Sequence, residues 1–338
     1  MVTIKEIAKQ ADVSTATVSR VINNHSDVSD KTRKLIMKIM KKNNYKPNTV
    51  ARSLSTRKSN QIGIFFTDHY NSGLHHPFFR EVIYGLEKSL GKKGYDIVYF
   101  TNRHWGDSFS YLEKCKDRHV DGVALMGVPR DDPNLPKLLS SNIPVVFVDI
   151  DVIDKNATYV ISDNATGAKK AVNYLYELGH KKIGMLMGIT TTKPTQDRFL
   201  GYKEAMQDLN LSYKSEWVID GNFSEKGGYK ATKKLLKLDE LPTAIFCQSD
   251  GMAIGAMRAL EDEGYKIPED FSIIGFDNIE ASRYVKPALT TVAQNKREMG
   301  SSVAQMLVNM IDNRRKEVSP RVLPVKIIER DSCLKING

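Results

Sequence analysis

Thr3-Ile4-Lys5-Glu6-Ile7-Ala8-Lys9-Gln10-Ala11-Asp12-Val13-Ser14-Thr15-Ala16-Thr17-Val18-Ser19-Arg20-Val21-Ile22-Asn23 carries two helical periods with a break between them. Ile4, Ile7, Ala8 and Ala11 recur at i, i+3, i+4 and i+7, which predicts one amphipathic helix. Asp12-Val13-Ser14 interrupts the period, and Ser14 is a good N-cap for the helix that follows. In that second helix Val18, Val21 and Ile22 face inward, leaving Thr15, Ala16, Thr17, Ser19 and Arg20 for the surface. A third helix is expected after Ser29 or Asp30, on Leu35, Ile36, Ile39 and Met40, ending near Asn43. Three short helices with a tight turn between the first two make a helix-turn-helix head.

Charge supports a polyanionic partner for this head. Residues 1–58 hold thirteen Lys/Arg and four Asp/Glu, a net +9, out of +10 for all 338 residues. Nearly all the excess therefore lies on the first sixth of the chain, which points to a polyanion partner, nucleic acid first and an acidic membrane second. The short polar surface of the second helix, with Arg20, suits a major groove. Next comes Tyr45-Lys46-Pro47-Asn48-Thr49-Val50-Ala51-Arg52-Ser53-Leu54. Pro47 stops the preceding helix and Asn48 can cap a new one. A helix of roughly eight residues is marginal in water, so this linker is expected to become helical only when docked.

From Ile62 onward apolar runs alternate with helical periods. The runs are Ile62–Phe66, Ile97–Phe100, Gly122–Leu125, Val145–Val148, Ile183–Leu186, Ala244–Cys247 and Ile273–Phe276. Helical periods fill the gaps at Phe78–Lys92, Ala165–Leu178, Gln196–Leu209, Gly227–Leu236 and Met252–Glu263. Continuous apolar strands between amphipathic helices indicate parallel sheets covered on both faces. So long a body predicts two α/β lobes, with a ligand in the crevice at the carboxyl ends of the strands.

Several classes are disfavoured. No apolar run approaches the roughly 18 residues of a membrane helix. The charged N-terminal residues do not read as a signal peptide, so a cytoplasmic location is expected. Cys115, Cys247 and Cys333 stand alone, without metal-type or disulfide-framework spacing. No phosphate loop, Gly-x-Ser-x-Gly or dinucleotide fingerprint is found, so neither enzyme nor cofactor is expected. A sugar-binding receptor or an enzyme-like body without gene regulation is the alternative the two lobes allow.

The chain resembles the lactose-repressor family of bacterial regulators. The quoted stretch resembles that family's DNA-binding domain, and Tyr45-Lys46-Pro47-Asn48 with Ala51-Arg52-Ser53-Leu54 resembles its hinge helix. Pro77-Phe78-Phe79, Val120-Asp121-Gly122, Leu178-Gly179-His180-Lys181-Lys182-Ile183-Gly184, Asp197-Arg198, Gly275-Phe276-Asp277-Asn278 and Pro287-Ala288-Leu289-Thr290-Thr291-Val292 extend the match along the body. The resemblance implies a helix-turn-helix domain at 1–46 (motif about 4–23) and a hinge and linker at 47–60. It also implies a periplasmic-binding-protein-like body at 61–338: lobe 1 about 61–162 and 294–322, lobe 2 about 163–293 and 323–338.

By the same resemblance the protein is a homodimeric repressor of carbohydrate-utilisation genes. The resemblance further implies binding to near-palindromic double-stranded operator DNA under control of a small effector, expected to be a sugar, in the cleft. The implied DNA-binding set is Thr3, Ser14, Thr15, Ala16, Thr17, Ser19, Arg20, Asn23, Asn48, Arg52 and Leu54. Thr15, Ala16 and Arg20 match base-reading positions, and Leu54 the leucine that wedges into the minor groove. The implied effector set is Phe78, Phe79, Arg198, Phe223, Asp250 and Asp277. A dimer rather than a tetramer is expected, since no leucine heptads follow Val325–Ile328. One departure stands out: the eight residues His69–His76 replace a shorter family loop beside the cleft. His75-His76, without a carboxylate set nearby, reads as exposed polar residues rather than a metal site.

Overall fold

The computed structural model describes residues 2–22, 27–45, 58–67, 73–101, 109–312 and 318–336. The chain divides into two compact units, Met1–Asn60 and Gln61–Gly338.

The first unit holds α1 (Ile4–Ala11), α2 (Thr15–Ile22) and α3 (Asp30–Lys42). Thr3 and Glu6 close a reciprocal capping box at the start of α1, and Asp12 ends it in the left-handed conformation at φ 52°. Ser14 Oγ accepts from Thr17 N at 3.1 Å and starts α2, as its sequence predicts. Ser29 caps α3 in the same way. Ile7, Ala8, Ala11, Val18, Val21 and Ile36 form the core.

The second unit contains two six-stranded sheets. The first joins β1 (Gln61–Phe66), β2 (Asp96–Phe100), β3 (Gly122–Met126), β4 (Val145–Val148), β5 (Ala157–Ser162) and β11 (Arg321–Leu323) in the order β11-β5-β4-β3-β1-β2. The second joins β6 (Ile183–Met187), β7 (Val218–Asp220), β8 (Ala244–Cys247), β9 (Ser272–Asp277), β10 (Thr290–Ala293) and β12 (Lys326–Ile328) in the order β12-β10-β9-β8-β6-β7. All pairings are parallel except β10 with β12. The seven apolar runs all form strands; six are buried on both faces, and Ile97–Phe100 forms the half-buried edge strand β2.

The covering helices are α4 (Phe79–Gly91), α5 (Tyr111–Asp117), α6 (Leu135–Leu139), α7 (Asn164–Glu177), α8 (Lys193–Asp208), α9 (Glu225–Leu235), α10 (Asp250–Asp262) and α11 (Lys296–Asp312). Helix α8 starts ahead of the residues whose period reveals it, since Pro194 fits a first turn. Helices α4 and α11 approach closely at glycines. A Cβ on Gly300 would lie 1.9 Å from Val82 O, and one on Gly85 2.2 Å from Arg297 O. The chain crosses between sheets after β5, returns after β10, and crosses again between β11 and β12. No helix among the described residues is long and apolar enough to cross a membrane.

His76 corrects the reading of His75-His76 as simply exposed polar residues. His76 is half-buried, and its Nδ1 accepts from both Phe78 N and Phe79 N at 3.3 Å at the start of α4. Its ring also packs on Phe66 and Phe79.

Candidate functional site

Two sites follow from this architecture. The first is the outer face of α2. Burial of Val18 and Val21 in the head core turns Thr15, Ala16 and Arg20 outward, where all three are exposed. Thr17 and Ser19 are half-buried at the edge of that face. Thr3 and Ser14 are exposed but use their hydroxyls as helix caps. Arg20 Nη1 lies 3.2 Å from Asp27 Oδ2. Asn23, Asn48, Arg52 and Leu54 lie outside the described residues.

The second site lies where the carboxyl ends of the two sheets face each other. Arg80 of lobe 1 meets Glu280 of lobe 2 at 2.8 Å, and Lys193 of lobe 2 lies 3.9 Å from Asp151 of lobe 1. Between these pairs Arg198 projects from α8. It is only 3% exposed, and its guanidinium lies 3.7 Å from the Phe276 ring centroid. Nε donates to Asn164 Oδ1 at 2.8 Å and Nη1 to the Gln248 carbonyl. Asp277 Oδ1, at the end of β9, stands 3.9 Å from Arg198 Nη1 and accepts from Gln294 Nε2 at 2.6 Å. Burial raises the Asp277 pKa, against the pull of Arg198 and Lys296.

Asp277 sits on a strained turn, with φ 109° followed by φ 50° at Asn278. Lys296 Nζ donates to both their carbonyls and helps to hold that turn. Phe223 is similarly held at φ 58°, its ring packed over Gly188, with Arg198 at 5.9 Å from the ring centroid.

Two expected effector residues are placed differently. Asp250 is fully buried and faces the turn, not the cleft. Its Oδ2 accepts from Ile279 N at 2.7 Å and its Oδ1 from Thr291 Oγ1 at 2.5 Å. Burial and the nearby Asp277 raise its pKa. Phe78 is turned into the core of lobe 1 beside Val82 and Leu86, leaving half-buried Phe79 as the aromatic beside Phe66 and His76. The structure brings Arg198, Asp277 and Phe223 together.

Comparison with known proteins gives a consistent result. Residues 3–48 match the pattern of bacterial regulatory proteins of the lacI family, and residues 172–333 that of a periplasmic binding protein-like domain. The HTH-type transcriptional repressor PurR of Mannheimia succiniciproducens is 34% identical over 338 residues, covering 99% of this chain and 100% of the relative. The ribose operon repressor of Haemophilus influenzae is 35% identical over 340 residues, with 99% and 100% covered. A solved lac repressor dimer, bound to operator and the anti-inducer ONPF, superposes with TM-score 0.80 at 27% identity over 98% of this chain and 99% of that one.

The chain belongs to the lacI family. It is a DNA-binding transcriptional regulator of two-lobed, periplasmic-binding-protein-like architecture, and not an enzyme.

Within this lacI-family body the sequence reading missed Asp149 and Gln294. Asp149 Oδ1 and Gln294 Oε1 are shut off from solvent with no hydrogen-bond partner among the described residues. Burial pushes the Asp149 carboxyl up to about 7, with Arg198 opposing the rise and Asp277 and Asp197 adding to it. Asp149 directly follows the apolar run Val145–Val148, as Asp277 ends its own strand, so a signal was present. Gln294 follows β10, whose Thr290-Thr291 keep it from standing out as an apolar run.

Proposed function

We propose that this repressor acts as a cytoplasmic homodimer on near-palindromic operators of carbohydrate-utilisation genes, and that a sugar in the cleft controls its operator affinity. The observation that carries the effector class is the donor and acceptor set around Arg198. The guanidinium supplies a fixed fork of donors. Asp277, and the partnerless Asp149 Oδ1 and Gln294 Oε1, supply acceptors. Sugar hydroxyls satisfy both kinds of group at once, and the Phe223 face suits the C–H face of a ring. The name of the ribose operon repressor among the relatives supports the same class.

In the head, Arg20 reads a guanine through its guanidinium fork, and Ala16 offers a methyl to thymine. The lac repressor dimer on operator supports two heads on a two-fold site.

A flat nitrogenous base is the second reading, because Phe223 and the carboxylate acceptors also suit a stacked ring with N–H donors. Calorimetric titration with D-ribose, D-xylose, D-glucose, guanine and hypoxanthine separates the two. Saturable heat with a pentose or hexose supports the sugar, and heat with the bases alone overturns it. Selection of bound fragments from the source genome then names the regulated genes.

A further inference from the structure

We infer that Asp27 is a positioning residue that sets the guanine specificity of Arg20; this rests on the reading of Arg20 as a base contact. The head carries only four acids among residues 1–58. Three have local roles in the fold. Glu6 closes the capping box of α1, Asp12 is its left-handed C-cap, and Asp30 lies in the first turn of α3. Asp27 has none of these roles. It precedes the Ser29 cap, outside the turn where a helix dipole acts strongly. It is 53% exposed, and its carboxylate faces Arg20 Nη1 at 3.2 Å. An ion pair this exposed adds little to the stability of a fold.

On a surface built to meet phosphates, a carboxylate is a liability unless it does something for recognition. The geometry points to what it does. A guanidinium offers two side edges, one of Nε with Nη2 and one of Nη1 with Nη2. Asp27 engages Nη1, which leaves the Nε–Nη2 edge to meet guanine O6 and N7 as a parallel pair. The same carboxylate repels backbone phosphates and keeps Arg20 from swinging onto them. Asp27 thus trades non-specific affinity for base discrimination.

The test starts from the duplex that the parent protein selects out of a randomised library. Binding is measured by fluorescence anisotropy on that duplex, on the same duplex with the Arg20-dependent guanine pair replaced, and on a random duplex. The proteins are the parent, Asp27→Asn, Asp27→Glu, Arg20→Ala and the Asp27→Asn/Arg20→Ala double variant. Circular dichroism confirms that the heads are equally folded. Asp27→Asn should lower the guanine preference at least about fivefold. It should also tighten random-duplex binding and steepen the salt slope by about one. Asp27→Glu should recover part of the preference, and Asp27→Asn should change nothing further once Arg20 is Ala. An unchanged guanine preference in Asp27→Asn, or an equal loss without Arg20, overturns the inference. A parent that selects no duplex overturns the DNA-reading assignment itself and not merely the role of Asp27.

Discussion

Arg198 and Asp277 face each other at 3.9 Å across the floor of the cleft, the first buried and the second mostly so. Each favours the charged form of the other. Burial opposes ionisation of both, and the opposite charge of the partner works against that burial. Breaking such a pair from one side leaves an uncompensated buried charge. Arg198→Ala should therefore lower the unfolding free energy by about 3–5 kcal/mol, read by urea titration, and abolish effector binding. Asp277→Asn keeps the shape of the turn and should fold. Its effector affinity should fall by about tenfold or more, the worth of a charged hydrogen bond. Equal effector affinity in parent and Asp277→Asn would remove Asp277 from the site.

Asp149 makes the body's stability depend on pH in an unusual direction. Its carboxyl titrates near 3.8 in the unfolded chain and is pushed up to about 7 by burial in the fold. Between these values the folded protein holds a proton that the unfolded chain has lost. The contribution of this group to stability therefore falls as pH rises through that window. Asp149→Asn removes the decline. The stability of Asp149→Asn relative to the parent should be greater at about pH 8 than at about pH 5, by on the order of 2–3 kcal/mol. Denaturant titrations at the two pH values check this, and a difference that does not change with pH refutes it.

Gly188 sets the position of Phe223. A Cβ there would stand 2.0 Å from Phe223 Cζ, well inside contact distance. Gly188→Ala must displace the ring from its place beside Arg198, or shift the end of β6, whose backbone is tied through Gly188 N to Gln248 Oε1 at 3.0 Å. Overpacking of this kind costs about 1–3 kcal/mol. The effector affinity of Gly188→Ala should fall, while its effector-free affinity for operator stays near that of the parent. A matched calorimetric and gel-shift series measures both.

The strand-helix alternation and the head were legible because their signals are local: apolar runs buried on both faces, and caps such as Ser14 and Ser29. Strand β5 was harder to see, since Ala157–Ser162 interleaves Thr, Tyr and Ser with its aliphatic residues. Helix α11 hides its period behind Gly300, Ser301 and Ser302, and Gly300 is required by the close approach to α4. Asp250, Asp277 and Asp149 all sit at or just beyond strand ends, a position that does not by itself tell which of them faces the cleft. Only the fold shows that Ile279 N and Thr291 Oγ1 claim Asp250, whereas Asp149 keeps an oxygen without a partner. Which way each carboxylate turns depends on residues far away in the chain, and no local pattern records that.

Control of DNA binding by the effector should run through residues 48–56. The head and the effector site share no residues and belong to separate compact units. The signal must therefore cross the joining segment, whose sequence is expected to become helical only when docked. On that expectation its docking on DNA would be a two-state event that a change between the lobes could tip. Coupling of this kind is typically about 1–3 kcal/mol and acts equally in both directions. Effector affinity measured with saturating operator should differ from that without it by about 5–150-fold, and operator affinity should shift by the same factor on adding effector. Asp277→Asn should lose the effector's influence and keep effector-free operator binding. Leu54→Ala should keep effector binding and lose most operator preference, because an apolar wedge is what makes the kinked duplex favourable. If operator leaves the parent's effector affinity unchanged, the two sites are uncoupled, and the joining segment is only a tether.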